Sequence, residues 1–282
     1  MNTVSQPLAT GFGFPEGPRW RDGLLWFSDH HDGLVRALDR EGCVVEQFAV
    51  PGNPSGLGWL PDGDLVVVSM ANRCLYRRQW GELVPYADLS GVHPAASNDM
   101  VVDPLGRAWV GNIGFDYFSG EAPRSTCIAR VDRAGRVVAA ADDLHCPNGA
   151  VVTADGATLI VAESFARRLT AFAIAADGSL GQRRLWADLG QQLPDGICLD
   201  AEGHIWVAIP LSQAVLRLAP GGEVVERVTT ENGNPYACVL GGEDGRSLYI
   251  CCAPDHVPAA TREGRGGRID VARVTVPGAG SP

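Results

Sequence analysis

The 282-residue sequence contains no lysine, so all 23 of its basic side chains are arginine. Neither a Schiff-base lysine nor a phosphate-binding P-loop lysine is available to it. No stretch approaches the roughly 18 to 20 uninterrupted apolar residues that a membrane-spanning helix needs, and Met1 to Phe14 lacks a basic segment leading into an apolar run. The eight cysteines, at 43, 74, 127, 146, 198, 238, 251 and 252, include no CxxC pair and no Cys/His cluster at zinc spacing. Most lie in apolar runs such as Ile197-Cys198-Leu199, which reads as reduced and buried thiol. Positive charge is also short, with 23 basic against 33 acidic side chains and a formal charge of −10. A chain of that sign lacks the general attraction that nucleic acid or an anionic membrane requires, so neither partner is expected. The expectation is a soluble, cytoplasmic protein. Its oligomeric state is left open by the sequence.

What the sequence does contain is an internal repeat. Six segments follow one plan: PEGPRWRDGLLWFSD from Pro15, PSGLGWLPDGDLVVVS from Pro54, SNDMVVDPLGRAWVGN from Ser97, PNGAVVTADGATLIVAES from Pro147, PDGICLDAEGHIWVAI from Pro194 and PYACVLGGEDGRSLYICC from Pro235. Each opens on a Pro-x-Gly-like head, continues as a short apolar run, turns at an Asp-Gly or similar pair, and runs apolar again, which is the pattern of a β-hairpin. A third run, as at 34–38 or 168–172, and a fourth, as at 44–50 or 183–187, complete four strands per repeat. Counted at the residue after each head, the repeats are 39, 43, 50, 47 and 41 residues apart. Four strands at a period of about 40 to 50 residues describe propeller blades. An all-β, six-bladed β-propeller over residues 1–277 is predicted, with 278–282 as a flexible tail. Nothing in the pattern sustains a 3.6-residue helical period. The sixth repeat has room for only three strands, ending in 268–276, so residues 4–12 are expected to supply its outer strand and close the ring.

Equivalent positions at the head of each innermost strand all face one central channel. That position holds Glu16, Ser55, Asn98, Asn148, Asp195 and Tyr236. Two carboxylates sharing an apolar channel repel one another, and burial adds to the cost. A divalent cation resolves the conflict. Glu16, Asn98, Asn148 and Asp195 offer it only oxygen and a charge of −2, a set suited to calcium first, with magnesium or manganese also fitting and zinc or ferrous iron not excluded. Such an ion is either catalytic or purely structural on this evidence.

PEGPRW at 15–20, NDMVVDPLGRAWVGN at 98–112, PNGAVVTADGATLIVAES at 147–164 and PDGICLDAEGHIWVA at 194–208 together resemble the senescence-marker-protein-30, gluconolactonase and luciferin-regenerating-enzyme family. The resemblance covers nearly the whole chain. It implies a six-bladed propeller with a divalent metal on its axis, held by Glu, Asn, Asn and Asp at positions matching Glu16, Asn98, Asn148 and Asp195. It further implies lactone hydrolysis, with Asp195 as general base. The chain departs from the pattern at Ala96, where sugar-lactonase members often carry an arginine.

A metal below an open channel polarises a lactone carbonyl and acidifies a bound water, while Asn98 and Asn148 orient the substrate. No GxSxG elbow or HExxH helix points to another hydrolytic mechanism. Turns between second and third strands should wall the pocket, including two long ones at 114–124 and 253–265. The first carries Phe115, Tyr117 and Phe118, and the second His256. Phe115, Tyr117 and His256 are therefore candidate substrate contacts, and with Phe165 nearby the mouth suits a less polar lactone or ester. Asp29-His30-His31-Asp32 reads as a solvated turn, and the Arg/Gly run at 262–268 as a flexible loop. Two competing readings stand beside the lactonase: hydrolysis of phosphotriesters at the same site, and a non-catalytic binding propeller of the NHL kind.

Overall fold

Asp-x-x-Gly turns set the hairpins. In the third repeat Asp103 Oδ1 accepts the Leu105 and Arg107 N–H groups at 3.0 and 2.9 Å. Gly106 then takes φ +77°, a left-handed conformation that a side chain would resist. Asp200 repeats the arrangement in the fifth, accepting Glu202 and His204 N–H at 2.9 and 3.0 Å, with Gly203 at φ +77°.

The computed structural model describes residues 2–231 and 233–280. The chain begins with β1 (Asn2–Val4) and β2 (Gln6–Phe12). Blade 1 is then β3 (Pro15–Arg21), β4 (Leu24–Asp29), β5 (Leu34–Leu38) and β6 (Val44–Ala49), and blade 2 is β7 (Pro54–Trp59), β8 (Leu65–Ser69), β9 (Cys74–Gln79) and β10 (Glu82–Asp88). Blade 3 comprises β11 (Ser97–Val102), β12 (Ala108–Asn112), β13 (Thr126–Val131) and β14 (Val137–Leu144). Blade 4 comprises β15 (Pro147–Val152), β16 (Thr158–Glu163), β17 (Arg168–Ile174) and β18 (Leu180–Asp188). Blade 5 runs β19 (Ile197–Leu199), β20 (Ile205–Ile209), β21 (Ala214–Leu218) and β22 (Val224–Thr229), and blade 6 holds β23 (Asn234–Gly241), β24 (Ser247–Ala253), the helix α1 (Pro258–Gly264) and β25 (Gly267–Arg273). Six antiparallel sheets with their first strands innermost make the six-bladed propeller.

Ring closure comes from the N-terminal strand. β2 pairs antiparallel with β25 as the fourth strand of blade 6. β1 does something the repeat pattern did not announce: it joins the outer edge of blade 5, parallel to β22. Ser5, between the two strands, donates its N–H to Thr229 O at 3.0 Å and its hydroxyl to Asp270 Oδ2 at 2.7 Å. Both blades thereby lose an open edge.

Apolar faces pack blade against blade. Trp109 of blade 3 is sealed against Ala150, Val152 and Val161 of blade 4, and Trp206 of blade 5 against Cys238 and Ile250 of blade 6. The helix α1 is a departure from the all-strand expectation. It is too short for a period to show in the sequence, and it is started by Pro258 at its first turn and stopped by Arg265 in the left-handed region at φ 43°. Within the stretch expected as a tail, Gly278 pairs with Asp200 and the Ala279 N–H bonds to Leu199 O at 3.1 Å. Residues 281–282 lie outside the described residues.

Asp200 also joins its hairpin to the neighbouring strand, because its Oδ2 meets Arg217 Nε at 2.6 Å with the carboxylate fully buried. Asp200→Ala leaves that guanidinium short of a partner, so urea unfolding should show a loss of about 3 kcal/mol. The exposed turn carboxylate Asp177, replaced in the same way, should cost clearly less. Equal losses would mean that turn capping alone carries the effect.

Candidate active site on the propeller axis

The inner strands do not run straight into the channel. Register slips occur between Glu16 and Arg19, Pro54 and Leu57, Ser97 and Met100, Pro147 and Ala150, and Pro235 and Ala237. Each is a β-bulge at the head of an inner strand, and a bulge re-aims the side chain it carries. In blade 5 the equivalent residue, Asp195, precedes the strand and is fixed by its N–H to Ala208 O at 3.0 Å. The residue after each of these positions is Gly17, Gly56, Asp99, Gly149, Gly196 and Ala237. Space explains the small ones: a Cβ on Gly56 would sit 2.2 Å from Met100 N, and one on Gly149 2.5 Å from Ile197 N. At the four glycines the inner strands approach too closely for a side chain, which draws the preceding residues together.

The side chains so gathered are strained electrostatically. Burial, then the Asp195 and Asp99 charges, hold the Glu16 carboxyl well above its usual range, although Gly17 N–H donates to Glu16 Oε2 at 2.5 Å. Asp195 is pushed up to about 7, by burial first and then by Asp99, against a hydrogen bond from Asn148 Nδ2 at 2.5 Å. Asn148 Nδ2 also reaches Ser164 Oγ at 3.2 Å, and Asn98 Oδ1 faces Ser55 Oγ at 3.5 Å. Of the four residues predicted from the repeat, Asn148 is bonded to Asp195 and the Asp195 charge acts on Glu16, while Asn98 faces Ser55 of the neighbouring blade. Two carboxyls whose ionised forms burial disfavours, together with two carboxamides, offer a hard oxygen set that fits a divalent cation. No group of three or more His, Cys, Asp or Glu side chains is poised as a ligand set among the described residues, so the asparagine oxygens are indispensable to such a site.

Asp99 is the member that sequence reasoning missed. It is 3% exposed, accepts Met100 N–H at 2.8 Å and pairs with Arg19 Nη2 at 3.2 Å. Arg19 holds Met100 O as well, tying the floor of blade 3 to blade 1. The signal was present: among six residues following the axial position, Asp99 alone is neither glycine nor alanine.

Above the axis the walls are aromatic. Phe115 packs on Phe165 at 5.5 Å between ring centres, Tyr117 on Phe165 at 6.2 Å, and Tyr117 Oη lies 3.2 Å from His256 Nε2. Structure therefore brings Phe115, Tyr117 and His256 into one cluster. On the other side Phe14 stacks near Tyr236 and His31, at 4.6 and 4.8 Å, and burial first, then the Asp195 charge among others, pushes the Tyr236 hydroxyl up to about 12.

The Asp29-His30-His31-Asp32 turn corrects the sequence reading. Asp29, His30 and His31 are buried. Asp29 Oδ1 accepts Gly13 and Phe14 N–H at 3.0 and 2.9 Å, His31 Nδ1 meets Thr261 Oγ1, and Arg265 pairs with Asp32 at 2.8 Å. The Arg/Gly run is likewise pinned here, with Arg262 Nε bonded to His31 O at 2.8 Å. The run therefore clamps blade 6 to blade 1 through α1. At the far end of the channel, Arg19, Trp20, Ile197, Cys198 and Leu240 line a cavity of about 170 Å³ that Gly278 and Gly280 border.

Residues 14–254 match the SMP-30/gluconolactonase/LRE-like region. The chain belongs to that family. Among curated proteins, this family member is 28% identical to a 6-deoxy-6-sulfogluconolactonase of Pseudomonas putida, over 99% of this chain and 96% of the relative. It is 26% identical to a pentonolactonase of Haloferax volcanii, over 93% and 89%. Among solved structures, regucalcin of Agrobacterium tumefaciens, described as a calcium-binding protein, superposes with a TM-score of 0.84 at 25% identity, covering 100% of this chain and 97% of that one.

Protonation sets up a measurable competition in this family member. With no cation bound, Glu16 and Asp195 carry folded-state values above their unfolded ones, so their contribution to stability is present in acid and lost as pH rises through neutrality. Burial lowers His30 to about 3 and His31 and His93 to about 4, so these three act oppositely, losing stability as pH falls below about 6.5. The histidines are common to cation-free and cation-bound protein and cancel in the difference. The rise in Tm on adding calcium should therefore be larger at about pH 8 than at about pH 5.5, read by scanning fluorimetry. A rise independent of pH would place the ion away from these carboxyls.

Proposed function

We propose that this chain is a lactonase, working as one propeller domain over 1–277, that opens a cyclic ester with water at the axial site, aided by a divalent cation held by Glu16, Asn98, Asn148 and Asp195. The observation that carries the reading is that oxygen-bearing side chains gather at the heads of the inner strands, with Asn148 bonded to Asp195 and two carboxyls, Glu16 and Asp195, pushed up chiefly by burial. A propeller built only for docking gains nothing from that cost. The names of the two lactonase relatives, each aligned over most of this chain, favour the same chemistry.

A bound cation supplies a Lewis acid for the ester carbonyl and lowers the pKa of an attacking water. The remaining work falls to the chain. Asp195 takes the proton of that water and returns it to the leaving alkoxide. Asn148, bonded to both Asp195 and Ser164, fixes the direction of the base. Asn98 stands across the channel and orients the ester oxygen. The product is a hydroxy acid: the ring C–O bond breaks, water oxygen becomes part of the carboxylate, and the alkoxide is protonated. Calcium is the first choice of ion, because all ligands are oxygen and regucalcin, at a TM-score of 0.84, is described as calcium-binding. All eight cysteines are free thiols, which suits the reducing cytoplasm.

A pH-indicator assay over sugar, aliphatic and aromatic lactones tests the proposal. Chelator-treated protein should be inactive and regain turnover with calcium. Asp195→Asn should lower kcat/KM by about 10²- to 10⁴-fold. Full activity in the chelated protein, or in the Asn variant, would overturn it.

A further inference from the structure

Blades 3 and 6 stand opposite one another in a ring of six, yet a side chain from each meets over the axis. Tyr117, from the loop after β12, and His256, from the loop after β24, are hydrogen-bonded at 3.2 Å, with their ring centres 5.8 Å apart. The contact spans the mouth from one side to the other and makes a bridge across it. Phe118 flanks it, 6.5 Å from His256 and 5.2 Å from Tyr117. Next to the bridge, Phe165 lies nearly parallel to Tyr117 at 24°, backed by Phe115, which is 2% exposed. Phe165 follows Ser164, the residue that holds Asn148, so this aromatic wall begins one residue from the reacting centre.

Several polar groups around that space are already engaged. Tyr117 Oη and His256 Nε2 satisfy each other, and Asn148 Nδ2 is bonded to Asp195 and Ser164. Arg124 Nε bonds Gly114 O and its Nη2 pairs with Glu121 at 2.9 Å, Arg262 bonds His31 O, and Arg265 is held by Asp32 and Gly11 O. Ala96 places only a methyl beside the first asparagine strand. A polyhydroxylated ring entering here would lie against rings along this wall, where its hydroxyls find few partners. A flat hydrocarbon ring would meet faces.

We infer that the site selects a lactone bearing a flat, uncharged aromatic or apolar group, which lies under the Tyr117–His256 bridge against Phe165 while the ester faces the axis. The inference deepens the lactonase reading and rests on it for turnover, but the pocket's preference is separable from the chemistry.

Dihydrocoumarin and δ-gluconolactone serve as paired substrates, and the lactam 3,4-dihydro-2-quinolinone, which the same water would not open readily, as a binding probe. Wild-type kcat/KM should favour dihydrocoumarin by at least about tenfold. Tyr117→Ala should reduce that ratio by about tenfold, through KM, whereas Tyr117→Phe, which keeps the ring and loses the hydroxyl, should largely retain it. Phe165→Leu should lower it too. By calorimetry the lactam should bind wild-type protein and bind Tyr117→Ala at least about tenfold more weakly. A preference for gluconolactone, a ratio unmoved by Tyr117→Ala, or no lactam binding overturns the inference and leaves the lactonase reading intact. Lactam binding that depends on Tyr117, with neither lactone opened, supports the pocket assignment and sinks the hydrolytic reading instead.

Discussion

Enclosure of the Glu16 and Asp195 carboxyls at the heads of the inner strands is the constraint around which this propeller is arranged. Burial disfavours each charge first; Asp195 adds to the cost at Glu16, and Asp99 to the cost at both. The bulges that aim these side chains at the axis and the glycines that let the strands crowd there are therefore coupled to one electrostatic problem. Remove the close approach at Gly56 or Gly149 and the ligands separate; keep it and the charges must be neutralised by protons or by a cation.

The floor shows how the remaining charge is managed. Arg19 reaches past blade 2 to Asp99 and Met100 O, so one guanidinium neutralises the third carboxylate and fastens the bulge behind Asn98. Above, the arrangement is of another kind. The walls carry rings and closed hydrogen bonds in place of open charge, and they come from loops whose lengths differ from blade to blade. A rigid, repetitive ring holds the reacting groups, and irregular loops decide what reaches them.

Much of this was legible in the sequence because a repeat converts sequence position into spatial position. Glu16, Asn98, Asn148 and Asp195 fall at one place in the plan, so the nearness of Asp195 to Asn148 and Glu16 followed from the ring alone. β2 could be assigned to blade 6 because the sixth repeat was one strand short. Around the site, three features escaped that logic, each for a physical reason. Asp99 sits one residue beyond the compared position, where only steric crowding makes a non-glycine notable. The short helix α1 spans too few residues to display a period, and its place depends on Thr261, Arg262 and Arg265 finding blade 1. His30 and His31 look solvated beside two aspartates, but α1 and Phe14 cover them, and coverage by a distant segment leaves no local trace.

The pairing of β2 with β25 also sets the order in which the molecule is able to form. Gln6 lies beside Val271, so the first strand of the ring waits for the last one to be synthesised. Until residues near 270 leave the ribosome, the nascent chain carries β2 with no neighbour and blades with unpaired edges, the condition in which strands find wrong partners. Contacts of such long sequence separation also slow the final step. Once made, however, the seam converts a row of blades into a closed circle, in which no blade is terminal and none can peel away first.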